Sequence, residues 1–398
     1  MATEVRQRVK PNAAALPTDS IASTPLTITV NGKPAAAPHP SGREKHGRVI
    51  QILRGVSLIM FFFTIQITQC IGAPLYLINR RLFYDYMAVT KQSFGLVITT
   101  MTYWWGPTTI RISGDASVAG QIKSLSDGRV EFNFPERLVL IANHQIYTDW
   151  LYLWWVGYAN KPRSHGSIYI ILKESLKYIP IIGPGMMFYG FIFMSRKMAI
   201  DRPRMAHRLQ KLRAEHLDPS GNVYYDPMWL LLFPEGTNSS NNGRVKSAKW
   251  AEKTGIKDTE HVLLPRSTGM YYCLSELKGS VDYVYDCTVA YEGVKRGEFG
   301  EQHFTLAGTY LQGQPPKSVN FYWRRFRVDN IPLDNAELFD TWLRERCAAD
   351  SKDGPYIETA VRTRYTFEIA QMFAVPTTLL MLCNIGIIYW RRFSAGAA

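Results

Sequence analysis

Cysteine is scarce in this 398-residue chain: Cys70, Cys273, Cys287, Cys347 and Cys383 are scattered, none stands in a CxxC pair, and two lie inside apolar runs. That spacing supports neither a zinc site nor a disulfide framework, and it suits a domain facing a reducing compartment. There is no GxSxG elbow and no cysteine in a plausible pair with a histidine, which disfavours a covalent nucleophile. The GPG at 183–185 lacks the third glycine of a dinucleotide fingerprint, and no Walker loop occurs. Zinc-finger, helix-turn-helix and aromatic RNA-binding signatures are missing as well, so a nucleic-acid partner is not expected. No internal repeat is present, and nothing calls for a metal ion or a bound redox cofactor.

What is present begins with hydrophobic residues at 46%, enough to build a real core and to exclude wholesale disorder. Lys and Arg number 46 against 33 Asp and Glu, a formal charge of +13 that favours polyanions such as anionic lipid or phosphate-bearing substrates. Residues 55–78 run for about 24 positions without a charge, where a bilayer crossing needs roughly 20. Arg54 precedes the run and Arg80 and Arg81 follow it, although Gln66, Thr68, Gln69 and Pro74 make its second half less apolar. A second uncharged stretch, 369–390, ends in Tyr389, Trp390, Arg391 and Arg392, an aromatic belt and a cationic stop. Both read as membrane anchors. A third run, 94–110, with Tyr103, Trp104, Trp105 and Pro107, reads as an interfacial helix.

The expected organisation has four parts: a disordered tail over 1–45, rich in Ala, Pro, Ser and Thr; an anchor with its interfacial helix over 46–112; a catalytic domain over 113–347; and a linker with a C-terminal membrane helix over 348–398. Between the anchors, short β-branched runs alternate with amphipathic stretches, the pattern of an α/β domain with a mixed sheet flanked by helices. Strands are expected at 138–142, 167–172, 191–194, 230–233, 283–291 and 319–326. Helices are expected at 150–158, at about 204–215 with Met205, Leu209 and Leu212 on one face, and at 335–346 with Asp334 as N-cap and Glu337 completing a capping box.

The segment VLIANHQIYTDWLYLWW places His144 and Asp149 just past a predicted strand, where α/β folds expose working groups. In one regular helix, five positions would leave the two residues roughly 140° apart. His144 must therefore sit in the turn, with Asp149 in or near the following helix and reaching back. A carboxylate on one imidazole nitrogen fixes the tautomer and leaves the other nitrogen free to accept a proton, the arrangement of a general base. A structural histidine satisfying a turn is the duller alternative. FPEGTNSS (233–240) follows the apolar run MWLLL and presents Glu235 on a tight turn; GFIFMSRK (190–197) projects Arg196, whose guanidinium can grip phosphate oxygens; VLLPRSTGM (262–270) gives a fourth strand-to-turn element with Arg266. A solvated glutamate and a salt-bridged surface arginine are the ordinary alternatives. Together the four turns can converge on one cleft edge.

NHQIYTD, GFIFMSR, FPEGT and LLPR resemble, in order and spacing, the four blocks of the glycerolipid acyltransferases, the group that includes 1-acylglycerol-3-phosphate O-acyltransferases. The resemblance covers about 111–343, includes LKESLKYIPIIG, and is nearest the lysocardiolipin and lysophosphatidylinositol acyltransferase branch through NHQIYTDWLYLWW, FPEGTN, LLPRSTG and DCTVAY. It implies that His144 is the base, Asp149 its orienting partner and Arg196 a contact for the acceptor phosphate. It further implies that Glu235, Gly236 and Thr237 shape the acceptor site and that Pro265 and Arg266 lie near the acyl donor. Many relatives carry Arg where this chain has Asn238, which puts a plain lysophosphatidate acceptor in doubt. The expected reaction moves an acyl group from acyl-CoA, a co-substrate and not a cofactor, to a lysophospholipid hydroxyl, at a membrane, expected to be endoplasmic reticulum with the catalytic block facing the cytosol. A lysophosphatidate acyltransferase, a CoA-independent transacylase and a non-catalytic membrane scaffold are the rivals.

Overall fold

The structure, a computed structural model, describes residues 29–30, 33–34, 39–348, 355–364, 366–378 and 381. Residues 1–38 are a unit of their own, of which the antiparallel pair Thr29–Val30 and Lys33–Pro34 is described. The second unit starts at His39, inside the stretch expected as tail to 45; there His39 Nδ1 pairs with Ser41 Oγ at 2.7 Å and its Nε2 donates to the His303 carbonyl at 3.0 Å.

Eight strands form one sheet: β1 (Thr109–Gly114), β2 (Arg137–Ala142), β3 (Ile168–Lys173), β4 (Ile192–Met194), β5 (Met228–Leu232), β6 (Tyr283–Tyr291), β7 (Ser318–Arg327) and β8 (Ile357–Ala360). Their order is β8-β1-β7-β6-β2-β5-β3-β4. From β6 to β4 all neighbours are parallel, whereas β7 is antiparallel to β6, parallel to β1, and β1 is antiparallel to β8. The six expected strands are all present within a residue or two. The two that sequence reading omitted, β1 and β8, lie at one edge. β1 straddles the expected boundary at 112/113 and β8 falls in the expected linker, so both segments belong to the sheet.

The central strands are unbroken apolar runs because both faces of the sheet are covered. Leu138, Leu140, Ala142, Trp229 and Leu231 join a core with Phe94, Val97, Met101, Tyr152 and Trp155; Val139, Ile141, Leu230 and Leu232 join a second core with Met205, Leu209, Cys273, Leu277 and Phe339. Each fully buried aliphatic side chain contributes about 1.5–3 kcal/mol. The first layer is built by α1 (Arg48–Gly72), α2 (Arg80–Trp105), α3 (Asp149–Ala159) and the short α4 (Ile182–Phe188). The second layer holds α5 (Met198–Leu212), α7 (Ser267–Leu277) and α8 (Ala336–Ala348), while α6 (Asn241–Thr254) follows the β5 turn. Helix α5 starts earlier than expected and ends at Leu212, since Glu215 belongs to a two-strand ribbon with Val223–Tyr225. Asn335, not Asp334, caps α8, its Oδ1 accepting from Glu337 N at 2.9 Å; Asp334 instead pairs with Lys278.

The expectation of an interfacial helix over 94–110 is corrected. Phe94, Leu96, Val97, Ile98 and Met101 are buried in α2, and the chain after Trp105 enters β1. Thr99 and Thr102 are also buried, because their hydroxyls donate to Gly95 O and Ile98 O at 2.9 Å and need no water. Gly95 admits the Trp154 indole, which a Cβ would meet at 2.7 Å.

Among the described residues one helical stretch, Arg48–Ile78, is long and apolar enough to cross a membrane, with mean hydropathy 1.7. Its polar positions face the body: Gln69 Nε2 donates to Gly185 O at 3.3 Å, and Arg54 Nη1 to Tyr310 O at 3.0 Å. Val49, Ile52, Leu53, Val56, Ile59, Met60 and Phe63 are exposed on the other side. Half of the second expected span, 369–390, lies outside the described residues; its beginning is a 3-10 turn, Thr366–Phe373, followed by one helical turn.

Candidate active site

Strands β2, β5 and β4 are parallel, so the turns after them emerge at one edge of the sheet. Because β5 lies between β2 and β3, the turn after β5 is the direct neighbour of the turn after β2. Pairing of β2 with β6 stops at Ala142 opposite Cys287, and the side chain of Asn143 then takes over. Its Oδ1 accepts from Val289 N at 2.6 Å and its Nδ2 donates to Val289 O at 2.9 Å, which pins the chain as it leaves the sheet.

His144 follows at once, and Asp149 is the first residue of α3. His144 Nδ1 lies 2.8 Å from Asp149 Oδ2, which also accepts from Ile146 N at 3.1 Å, while Tyr291 OH donates to Asp149 Oδ1. The Asp149 side chain is fully buried, held at a helix N-terminus that favours its charge, and the imidazole is 17% exposed. With the proton on Nδ1 facing the carboxylate, Nε2 presents a lone pair, and it has no hydrogen-bond partner among the described residues. Phe233 stacks on the ring at 4.3 Å and 24°. The imidazole is thereby fixed in tautomer, tilt and direction.

The FPEGTNSS turn grips the same residue by its main chain. Glu235 Oε1 accepts from His144 N at 2.7 Å, Glu235 Oε2 accepts from Leu263 N at 2.9 Å, and Ser239 N donates to His144 O at 2.6 Å. Gly236 closes the turn at φ 71°, a left-handed conformation that suits glycine, with its N–H on Phe233 O at 2.9 Å. Burial pushes the Glu235 carboxyl up to about 7, against the pull of its two N–H donors. Thr237 is half-buried in the same turn, and Asn238 donates to Glu301.

Arg196 stands past β4 at φ 66°, a strained conformation for a side chain of its size. Buried Asp201 imposes it, accepting from Ser195 N at 2.9 Å and Lys197 N at 3.0 Å on either side. The exposed guanidinium then reaches the β5 turn, Nη2 donating to Gly236 O at 2.9 Å. From the fourth segment, Pro265 is buried, Arg266 N donates to Pro234 O at 2.7 Å, and the Arg266 guanidinium lies 4.4 Å over the Trp250 ring.

All eight residues singled out from sequence thus come together at one edge. Two expectations about them change. Residues 262–266 are not a strand: Leu263 N is taken by Glu235, Leu264 N by Ser247 Oγ at 3.0 Å and Arg266 N by Pro234 O, so no ladder forms. The Glu235 carboxylate turns inward and is 6% exposed, where a carboxylate presented outward was expected. Sequence reading missed Asn143, Phe233, Asp201 and Tyr291. Only Tyr291 had a signal, as the last residue of the DCTVAY strand.

Residues 128–292 match the family described as Acyltransferase. An uncharacterised acyltransferase of Schizosaccharomyces pombe is 34% identical over 342 residues, 83% of this chain and 93% of that one. The 2-acyl-1-lysophosphatidylinositol acyltransferase of Saccharomyces cerevisiae is 36% identical over 322 residues, 73% of this chain and 81% of its own length. Lysocardiolipin acyltransferase 1 of Danio rerio is 35% identical over 221 residues, covering 53% of this chain and 50% of the relative.

Proposed function

The chain belongs to the acyltransferase family, and from that premise we propose that it transfers a fatty acyl group from acyl-CoA to the free hydroxyl of a lysophospholipid, lysophosphatidylinositol or a close analogue, with His144 as general base. One observation carries the reading: His144 Nδ1 is tied to buried Asp149 at 2.8 Å while Nε2 is left without a hydrogen-bond partner among the described residues. The names of the Saccharomyces cerevisiae and Danio rerio relatives support a lysophospholipid acceptor.

In this mechanism the acceptor hydroxyl lies against His144 Nε2, which takes its proton as the oxygen attacks the thioester carbonyl. A new C–O bond forms, the C–S bond of the tetrahedral adduct breaks, and the imidazolium returns the proton to the departing CoA thiolate. A positioned base of this kind contributes about 10²- to 10⁴-fold. Arg196, exposed and held at the β5 turn by its bond to Gly236 O, offers a guanidinium to the acceptor phosphate. The exposed apolar side of α1 sits in the membrane, so both lipid substrates reach the site without crossing water. The catalytic body faces the cytosol, where acyl-CoA is made.

The test is an assay on washed membranes with labelled acyl-CoA and a panel of lysophospholipids. The expected result is labelled diacyl product, greatest with lysophosphatidylinositol, and none from labelled phospholipid without acyl-CoA. Product from phospholipid alone would replace the reading by a transacylase, and the greatest turnover on lysophosphatidate would replace the acceptor.

Tyr291 gives a finer expectation. Tyr291→Phe removes one hydrogen bond from a buried carboxylate without changing shape, a loss of about 1.5 kcal/mol or more. If that is felt at His144, kcat falls at least about tenfold while KM for acyl-CoA holds. Steady-state kinetics beside a thermal midpoint check it; unchanged kcat would confine Tyr291 to packing.

A further inference from the structure

A second basic site lies away from His144, at the other edge of the sheet. β4 is the last strand, and between it and α5 there is a cavity of about 250 Å³, walled by Phe191, Ile192 and Phe193 and rimmed by Lys177, Arg204, His207 and Arg208. Its charges are unbalanced. Lys177 and Arg204 share one carboxylate oxygen, Glu174 Oε1, at 2.7 and 2.9 Å. Arg208 and His207 have no hydrogen-bonded or ionic partner among the described residues. The one acid of α5, Asp201, is buried and committed to the Arg196 turn.

Behind the wall stands a further cation. Lys91 of α2 is 2% exposed, and its ammonium lies 3.6 Å over the Tyr169 ring and 5.8 Å from the ring of Phe191, with no carboxylate beside it. Tyr169 in turn flanks Gly190, whose other neighbour is the Arg208 guanidinium. A buried ammonium without a counter-ion is costly, and burial alone pushes Lys91 down to about 7. A bound anion at the cavity would offset that cost.

We propose that this cavity is an anion site for a phosphate group remote from the reacting centre, supplied either by the 3′-phosphate of CoA or by the headgroup of an anionic phospholipid. Arginine and lysine at a cavity rim, with apolar walls, suit a phosphate carried on a larger body. β4 leads from this cavity toward Arg196, which stands in the turn two residues beyond its last residue, Met194. A phosphate held here is set back from the Arg196 turn, which suits a ligand that carries it on an extended arm. The CoA arm rests on the acyl-CoA reading above; the lipid arm does not.

The experiment uses the full chain in detergent micelles and needs no turnover, so an inactive protein still reports on the site. Equilibrium dialysis compares coenzyme A with 3′-dephospho-coenzyme A, and the same micelles are titrated with labelled phosphatidylcholine or labelled phosphatidylinositol. If CoA is the source, the native chain binds coenzyme A roughly tenfold tighter than the dephospho form, and the double variant Lys177→Ala, Arg208→Ala loses that ratio. If a headgroup is the source, the ratio is one, the native chain binds phosphatidylinositol more tightly than phosphatidylcholine, and the variant loses that preference. Lys91→Met, which keeps the volume, is expected to raise the thermal midpoint of the unliganded protein and to shrink the rise caused by the ligand that binds. A double variant that binds both probes like the native chain overturns the proposal.

Discussion

Replacing His144 by alanine lowers kcat by about 10²- to 10⁴-fold and costs the fold about 1–3 kcal/mol, since buried Asp149 loses a donor. The main-chain bonds of residue 144 to Glu235 and Ser239 survive the change, but the fold loses the stacking contact with Phe233 and the hydrogen bond that His144 Nδ1 makes to the buried Asp149 carboxylate. Asp149→Asn loses activity on the same scale by another route. Both oxygens of Asp149 are used, Oδ2 by His144 Nδ1 and Ile146 N and Oδ1 by Tyr291 OH. An amide NH₂ must then face one of three donors, which turns the ring or its tautomer and also destabilises the protein. Acyl-CoA turnover at saturating lysolipid, measured beside a melting curve, separates lost chemistry from lost stability in each variant. Turnover retained by His144→Ala ends the general-base mechanism.

Glu235→Ala is expected to destabilise the protein by about 2–5 kcal/mol, since it leaves two buried N–H groups, those of His144 and Leu263, without an acceptor. It also unties the His144 turn from the fourth segment, so kcat falls with stability. Glu235→Gln keeps the shape but sets an NH₂ against one of the two donors, and it removes a titration. With the folded carboxyl raised to about 7 from an ordinary 4.5, the native state holds a proton that the unfolded chain has released between those values. Stability from this group is therefore fully present below about 4.5 and is lost as pH rises through 7. Melting curves across that window should slope downward more steeply for the native chain than for Glu235→Gln. Parallel slopes would show that Glu235 is ionised throughout.

The central strands and helices were legible because a sheet covered on both faces forces apolar runs, and β2, β5 and β6 carry little else. Strands β1 and β8 were not, for their residues mix Arg111, Ser113 and Glu358 with few apolar neighbours, and only the partner strand gives them a reason to extend. Helix α2 misled because Tyr103, Trp104 and Trp105 imitate an interfacial belt, whereas its threonines are satisfied internally and packed inward. The His144 and Asp149 geometry followed from spacing alone. What closes the site did not: Asn143 bonding Val289, and Tyr291 reaching Asp149, depend on β6 lying beside β2, and strand order leaves no trace in local sequence. The inward Glu235 is hidden for the same reason, since its partners come from segments 91 residues before it and 28 after.

The position of β5 also governs how this chain can assemble. Strands β2 and β3 never pair with each other, because β5 stands between them with a parallel ladder on each side. During synthesis, a nascent polypeptide that has emerged only through α5 holds two strands with an unfilled slot, and no local hairpin can fill it, as parallel partners require a crossover. Completion of the centre waits for an insertion of high sequence separation, which makes maturation slow and leaves sheet edges open to mispairing meanwhile.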